Sequence, residues 1–174
     1  RRHFGDAPQQ RRIARGAETD IVRKHGAADD VVMAVHGVDA FVVQVEVNIS
    51  PGLPVFTLVG LPQGSVREGK DRVVAALRNA GTGFPNRRVT VNLAPADVRK
   101  DGTGFDLPIA VGVLGAMGSL TSESLVDHAV LGELGLDGSL RPVAGVLPIA
   151  ACCREAGVRT LVVPSGNAQE AAVV

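Results

Sequence analysis

The sequence predicts an α+β fold, a two-layer sandwich of a mixed sheet and helices. An alternation of apolar and polar residues over 41–49 is typical of a half-buried strand, and apolar residues at helical spacing over 66–80 are typical of an amphipathic helix. An Asp-Gly pair at 137–138, between apolar residues, indicates a β-hairpin. Because hairpins and helices follow one another irregularly, the order of elements differs from that of a regular βαβ repeat.

The first thirty residues differ in composition from the rest of the chain. They carry seven Lys or Arg and five Asp or Glu, with few apolar residues and no persistent period. We therefore predict a disordered tail over residues 1–30 and a single domain over residues 31–174. No linker-like segment divides that domain.

The predicted strands place their apolar residues on one face. The odd-numbered positions from Phe41 to Ile49 are apolar, whereas Gln44, Glu46 and Asn48 fall on the opposite face. Further strands are predicted at 55–59, 88–93 and 160–163. A turn at 37–39 is predicted to join an earlier short strand to the strand over 41–49.

Capping and stop residues bound the predicted helices. The first opens with Ser65 and Glu68, spaced as a capping box, and ends before Gly81. The second runs from about residue 107 to 117 with Pro108 in its first turn, and it should be largely buried because it is apolar nearly all round. The others are a helix over 145–156 that stops at Gly157 and a last helix that Asn167 caps.

Composition excludes several functional classes. The 18 positive and 18 negative side chains balance and form no block, so the chain lacks the basic character of a strong nucleic-acid binder. Aromatic residues make up 3 %, which disfavours a base-stacking surface. The sequence has no apolar run long enough for a membrane span, and adjacent Cys152 and Cys153 are poorly placed for a disulfide. We expect a cytoplasmic location.

Five segments, in order, carry a family resemblance. They are ISPGLPVFTLVGLP (49–62), VREGKDRVVAALRNAG (66–81), NLAPADVRKDGTGFDLPIAVGVL (92–114), LGELGLDGSLRPVAGVLPIA (131–150) and LVVPSGNAQEAAVV (161–174). Through them the chain resembles the N-terminal domain of the YifB/ComM family of magnesium-chelatase-like AAA+ ATPases. Two positions depart from the family pattern, because Gln63 replaces an acidic residue and Gly69 replaces a serine.

The resemblance implies both a fold and a larger machine. The fold would be related to the proteolytic domain of Lon protease. The full-length protein would continue into a P-loop ATPase domain that is absent from this chain, with ATP and Mg as its cofactors. It would form a homo-oligomeric ring and act in DNA branch migration, as a helicase, during natural transformation.

The chemistry of those relatives is missing from these residues. A P-loop requires G-x-x-x-x-G-K-[ST], and the nearest Gly-Lys pair, Gly69-Lys70, is followed by Asp71. When the chain is aligned to Lon on Lys100-Asp101-Gly102, the serine nucleophile position falls on Gly104 and the catalytic lysine position near Leu147. Thr103 with Lys100 is a conceivable substitute for that pair, but the sequence favours a solvated Lys100 and a turn at Thr103.

Two other sites are weighed and disfavoured. Asp97, Asp101 and Asp106 could hold a hard cation, but helix capping by Asp106 and a turn at Asp101 explain two of them. The scattered histidines fit no ligand spacing. A basic patch for phosphate is conceivable on both sides of the strand at 88–93, although a solvated rim is the ordinary interpretation; its members would be Arg87, Arg88, Arg99 and Lys100.

The leading hypothesis from the sequence is a non-catalytic accessory domain of a YifB/ComM-type AAA+ ATPase. No catalytic, cofactor-binding or metal-binding residue is assigned within this chain. One rival is a diverged Lon-like peptidase, which would require Lys100. The other is a stand-alone protein-interaction module. DNA is a conceivable partner, and a membrane is not.

Overall fold

The computed structural model describes residues 32–36, 41–121, 125 and 128–174, the first of these ranges by its backbone. The predicted tail at 1–30 and the predicted turn at 37–39 lie outside the described residues.

Eight strands and four α-helices follow one another along the described chain. The strands are β1 (Val32–His36), β2 (Phe41–Ser50), β3 (Val55–Val59), β4 (Arg88–Ala94), β5 (His128–Val130), β6 (Glu133–Leu134), β7 (Leu140–Arg141) and β8 (Thr160–Val162). The helices are α1 (Gly64–Asn79), α2 (Asp106–Ala116), α3 (Val146–Glu155) and α4 (Ala168–Ala171), with 3-10 turns at Thr103–Phe105 and Ser165–Asn167.

Six of the strands form one mixed sheet in the order β3-β4-β2-β1-β5-β8. The pairs β1–β2 and β2–β4 are antiparallel, whereas β3–β4, β1–β5 and β5–β8 are parallel. β6 and β7 make a separate two-stranded ribbon. The predicted mixed sheet and α+β class are confirmed.

One face of the sheet carries the main core. Val43, Val45 and Val47 of β2 are buried as the alternation predicts, while Gln44 and Asn48 on the other face are exposed. Helix α2 lies directly on the buried face, because a Cβ built on Gly112 would stand 2.7 Å from Val47 Cγ2. The two layers are therefore a sheet and the helices that cover one side of it.

A second, smaller apolar cluster lies beneath α3. Its buried members are Ala129, Leu131, Val146, Ile149 and Cys153. Both cysteines are free thiols, as predicted, and burial raises the pKa of Cys153 to about 11. Its thiol is therefore a core group that stays protonated at neutral pH.

The predicted hairpin is present, but its turn is longer than the Asp-Gly pair suggests. Leu134 pairs with Leu140, so five residues connect the two strands. The turn is closed by the Gly135 amide donating to the Ser139 carbonyl at 2.8 Å, and the Asp137 carboxylate accepts from the Ser139 amide at 3.0 Å. The side chain of Asp137 thus stabilises a wider loop than a two-residue turn.

Within the described residues, no helix combines the length and the apolar character needed to cross a bilayer.

Candidate functional site

The candidate site lies where the ends of β3 and β4 meet the starts of α1 and α2. Because β3 and β4 are parallel, the chain leaves both strands at the same edge of the sheet. The two exit segments then pair directly. The Gln63 amide donates to the Lys100 carbonyl at 2.8 Å, and the Lys100 amide donates to the Leu61 carbonyl at 3.2 Å. This pairing brings the first turns of α1 and α2 together.

Ser65 joins the two segments through its side chain. Its Oγ donates to Asp101 Oδ1 at 2.5 Å and accepts from the Gly102 amide at 2.8 Å. The predicted capping box is therefore wrong: α1 begins at Gly64, and no side-chain hydrogen bond caps it at Gln63. The Ser65 hydroxyl instead forms hydrogen bonds with the loop at Asp101 and Gly102. That loop is 36 residues away in sequence, but it lies against the start of α1.

Arg72, which is partly exposed, and the buried Asp106 form an ion pair between α1 and α2. Arg72 Nε and Nη2 donate to the two Asp106 carboxylate oxygens at 2.6 and 3.0 Å, a bidentate arrangement. The Leu134 amide donates to the same carboxylate at 3.2 Å, and Arg72 also donates to the Ser65 carbonyl at 3.1 Å. One charged pair thus connects helices α1 and α2 with the β6–β7 ribbon.

The predicted helix-capping role of Asp106 is wrong, because its side chain bonds to groups distant in sequence. Asp106 is the first residue of α2, and its side chain turns away from the helix amides towards Arg72. Its side chain is 1 % exposed, so desolvation raises the pKa of this carboxyl while the Arg72 hydrogen bond opposes the rise. The hydrogen bond to Asp106 raises the pKa of Arg72.

Gly69 makes room for this carboxylate. A Cβ built on Gly69 would lie 2.3 Å from Asp106 Oδ1. The absence of a side chain in the second turn of α1 therefore lets α2 approach closely enough for the ion pair. A position that helix propensity marks as unfavourable is required by tertiary packing.

Lys100 is buried, contrary to the predicted solvated charge. It is 0 % exposed, and its Nζ donates to the Pro95 carbonyl within the same loop. Burial lowers the pKa of Lys100, and the nearby charge of Asp97 opposes that change. This hydrogen bond links the two ends of the loop from Pro95 to Lys100. The ammonium therefore does not face an open cleft.

Gly104 faces an apolar wall. A Cβ built on it would lie 2.6 Å from Leu131 Cδ1, with Val143 on the same side. The backbone is held in place because the Gly132 amide donates to the Gly104 carbonyl at 3.1 Å and the Leu107 amide donates to the Gly132 carbonyl at 3.0 Å. Leu147, on α3, is 41 % exposed, and its amide donates to the Glu170 carboxylate at 3.0 Å.

Comparison with known proteins identifies the family. The family described as subunit ChlI of Mg-chelatase matches residues 45–167. That match covers more than two thirds of the chain. The chain belongs to the ChlI family.

Two curated relatives place it within that family. It is 48 % identical over 138 residues to the competence protein ComM of Haemophilus influenzae, across 79 % of this chain and 27 % of that protein. It is 45 % identical over 138 residues, with the same coverage, to YifB of Salmonella typhimurium. It is therefore a YifB/ComM-type member of the magnesium-chelatase-like AAA+ proteins. The chain spans about a quarter of the length of these curated relatives.

A more distant relative explains the fold. The chain is 26 % identical over 109 residues to Lon protease 2 of Bacillus subtilis, across 63 % of this chain and 18 % of that protein. The predicted likeness of this ChlI-family domain to Lon is thus confirmed. At the position predicted for the nucleophile stands Gly104 against Leu131, and near the position predicted for the lysine stands the apolar Leu147.

The predicted basic patch is not assembled. Arg87 and Arg88 lie at the start of β4, whereas Arg99 lies beyond its end, and the six residue steps along the strand separate them by about 20 Å. Lys100 is buried. The chain therefore presents these cations at opposite ends of one strand, where they cannot act together on one phosphate.

Two of the three carboxylates of the conceivable cation site are engaged by protein groups. Asp101 accepts from Ser65 and the Gly102 amide, and Asp106 is paired with Arg72. Across the described ranges, no three His, Cys, Asp or Glu side chains gather in a way that could hold a metal ion. His3 and His25 lie outside those ranges.

Asn167 has a structural role that the sequence did not reveal. Its side chain is buried, donates to the Val143 carbonyl at 2.8 Å and accepts from the Val143 amide at 2.9 Å. Asn167 does stand at the N-cap position of α4, as predicted, but its side chain makes no capping bond because the amide group is committed to the segment after β7. An Asn before a helical run signals a cap in sequence, and only the fold brings Val143 within its reach.

Proposed function

We propose that residues 31–174 are a non-catalytic accessory domain of a YifB/ComM-type AAA+ ATPase. The whole protein would use ATP and Mg in a following motor domain, assemble as a homo-oligomeric ring and drive DNA branch migration in natural transformation. The name of one relative, a competence protein, supports this assignment.

The packing at Gly104 is the observation that carries the non-catalytic part. A serine at this position would require a side-chain atom where Leu131 already stands, 2.6 Å from the Cβ position. Acyl transfer by a Ser-Lys pair needs a hydroxyl and a neutral amine facing each other in an accessible cleft. Here the first group is absent and its space is filled by an apolar side chain.

The remaining lysine of this loop does not rescue the peptidase alternative. Lys100 is enclosed, and its amine donates to the Pro95 carbonyl. Thr103 begins a 3-10 turn on the far side of Gly102. A buried amine that holds its own loop supports a structural role for Lys100.

The experiment compares the full-length protein with a version that begins after Val174. Each is assayed for ATP hydrolysis and for ATP-driven movement of a synthetic four-way DNA junction. We expect the shortened protein to hydrolyse ATP, which shows that its motor is folded, and to move the junction at least tenfold more slowly. Equal junction movement by the two proteins would contradict an accessory role.

The peptidase alternative is tested on the same full-length protein with casein. We expect no cleavage with or without ATP. Cleavage that disappears in K100A but persists in K70A, the control for a lysine on α1, would overturn the proposal in favour of a Lon-like peptidase.

A further inference from the structure

Strand β3 forms one edge of the six-stranded sheet. β4 pairs with its inner side, and no strand among the described residues pairs with its outer side. The outer amides and carbonyls of such a strand are able to extend the sheet by pairing with another chain. Proteins usually protect edges of this kind with charged side chains, bulges or covering segments.

The exposed apolar residues of this edge are arranged symmetrically about Thr57. Val55 and Val59, two positions to either side, are 48 % and 41 % exposed. Leu53 and Leu61, four positions to either side, are 79 % and 46 % exposed. If the strand pairs antiparallel with its own copy and Thr57 lies on the two-fold axis, Val55 faces Val59 of the other copy, while Leu53 and Leu61 flank the paired strand on either side.

The charge pattern favours a second copy as the occupant. No charged residue occurs from Val47 to Val66. A two-fold axis places the residue on it opposite its own twin, so a charge there would repel itself; the residue on this axis is a threonine. Because this edge is uncharged, it can form no ion pair with a charged partner. Two copies of it can pair without repulsion between like charges.

The opposite edge of the sheet lacks these properties. β8 has three residues, Thr160–Val162, and follows the charged Arg159 directly. Its exposed apolar side chain is Val162, at 40 %. The position two residues earlier in the same strand is Thr160, so β8 has no symmetric pair of apolar side chains. The two edges therefore differ in the features that determine whether a strand can pair with itself.

We propose that β3 is a homotypic contact surface, through which two copies of this domain pair antiparallel about Thr57 into one continuous sheet. Pro54 and Pro62 limit the pairing to the strand and its immediate flanks, since proline has no amide to donate. This contact belongs to the domain itself and is separate from any ring formed by the motor.

Cross-linking tests the register directly. The full-length protein is prepared in a C152S/C153A background, and T57C is oxidised under dilute conditions. We expect a disulfide dimer, because the two substituted positions face each other. V55C alone should not cross-link, since its twin lies about 14 Å away along the strand, whereas a mixture of V55C and V59C should. Cross-linking of V55C as readily as T57C would overturn the register.

Charge substitution tests whether the contact exists in solution. The particle mass of T57K and T57E, measured by sedimentation velocity, should be half that of the wild type at the same concentration. Mixing the two variants should restore the wild-type mass, because Lys then faces Glu across the axis. T160K, an exposed threonine on the other edge strand, is the matched control and should not change the mass.

Three results would overturn the proposal. They are a wild-type mass that T57K leaves unchanged, a mixture of T57K and T57E that does not reassociate, and a β3 edge that binds an unrelated extended peptide without any T57C cross-link. In the last case the edge recruits a partner protein and not its own copy.

Discussion

The β6–β7 ribbon is held at its two ends by different chemistry. At its turn end, in the last residue of β6, the Leu134 amide donates to Asp106, a buried carboxylate that is paired with Arg72. At its far end both backbone groups of Val143 are satisfied by Asn167, a buried neutral amide. Both side chains provide hydrogen-bond partners for backbone groups that are shielded from water. The charged end additionally fixes α1 against α2, whereas the neutral end fixes one loop.

This difference predicts unequal costs of disruption. Removing the amide of Asn167 leaves two backbone polar groups unsatisfied. Removing Arg72 leaves the charge of Asp106 uncompensated in the core.

The largest effect is expected for Arg72→Ala. It leaves the Asp106 carboxylate, 1 % exposed, without its counterion, and breaking a buried pair in this way costs about 3–5 kcal/mol of unfolding free energy. Arg78→Ala, at an exposed position in the last turn of the same helix, should cost less than about 1 kcal/mol. Urea unfolding of the two variants measures both values, and equal costs would contradict a structural role for the pair.

Gly69→Ala is expected to destabilise the same junction by about 1–3 kcal/mol. Helix propensity alone predicts the opposite sign, a gain of about 1 kcal/mol. The new Cβ would lie 2.3 Å from Asp106 Oδ1, so either the carboxylate must turn away from Arg72 or α1 and α2 must separate. Gly64→Ala, where nothing lies within 4 Å of the added Cβ, is the control. Thermal unfolding compares the two, and a higher Tm for Gly69→Ala would contradict the packing argument.

Asn167→Ala tests the neutral end and should cost about 1–3 kcal/mol, because it orphans the Val143 amide and carbonyl. Asn79→Ala removes one exposed hydrogen bond to the Leu136 carbonyl, at the turn of the same ribbon, and should cost about 0.5–1.5 kcal/mol. Denaturant unfolding measures both. If Asn167→Ala costs as much as Arg72→Ala, the distinction between the two ends fails.

The smallest effect is a pH dependence at Lys100, a buried charge that makes no ion pair in the part of the chain described by the structure. Burial lowers its pKa, so the unfolded chain binds this proton more tightly than the folded domain. Stability should therefore rise with pH between the lowered folded pKa and the ordinary value near 10.5. Unfolding across alkaline pH should show this rise in the wild type and in K70M, and not in K100M.

The sequence predicted local structure where periodicity and turn residues act alone. The burial of alternate residues in β2, the bounds of β3, and the stop of α1 at Gly81 agree with the structure because each depends on neighbours along the chain. The family could also be recognised, since five ordered segments preserve it. That the Lon-like site lacks its serine stays a prediction, which rests on the residue type at Gly104.

The polar side chains were predicted least well. Ser65, Asp106 and Asn167 were each interpreted as helix caps, and each instead bonds to a segment distant in sequence. Lys100 was expected in solvent and is enclosed. Capping is a local rule, whereas the partners of these three side chains are groups that only the fold brings near.

By itself, the sequence determined the class of fold, the order of most elements, the family and the absence of a P-loop. Those properties follow from short-range pattern and from residue identity. Only the tertiary structure decided that α1 and α2 share an ion pair, that Gly69 is needed to admit it, and that β3 stands exposed at an edge of the sheet. These depend on which segments meet in space, and the parallel pairing of β3 with β4 fixes that arrangement.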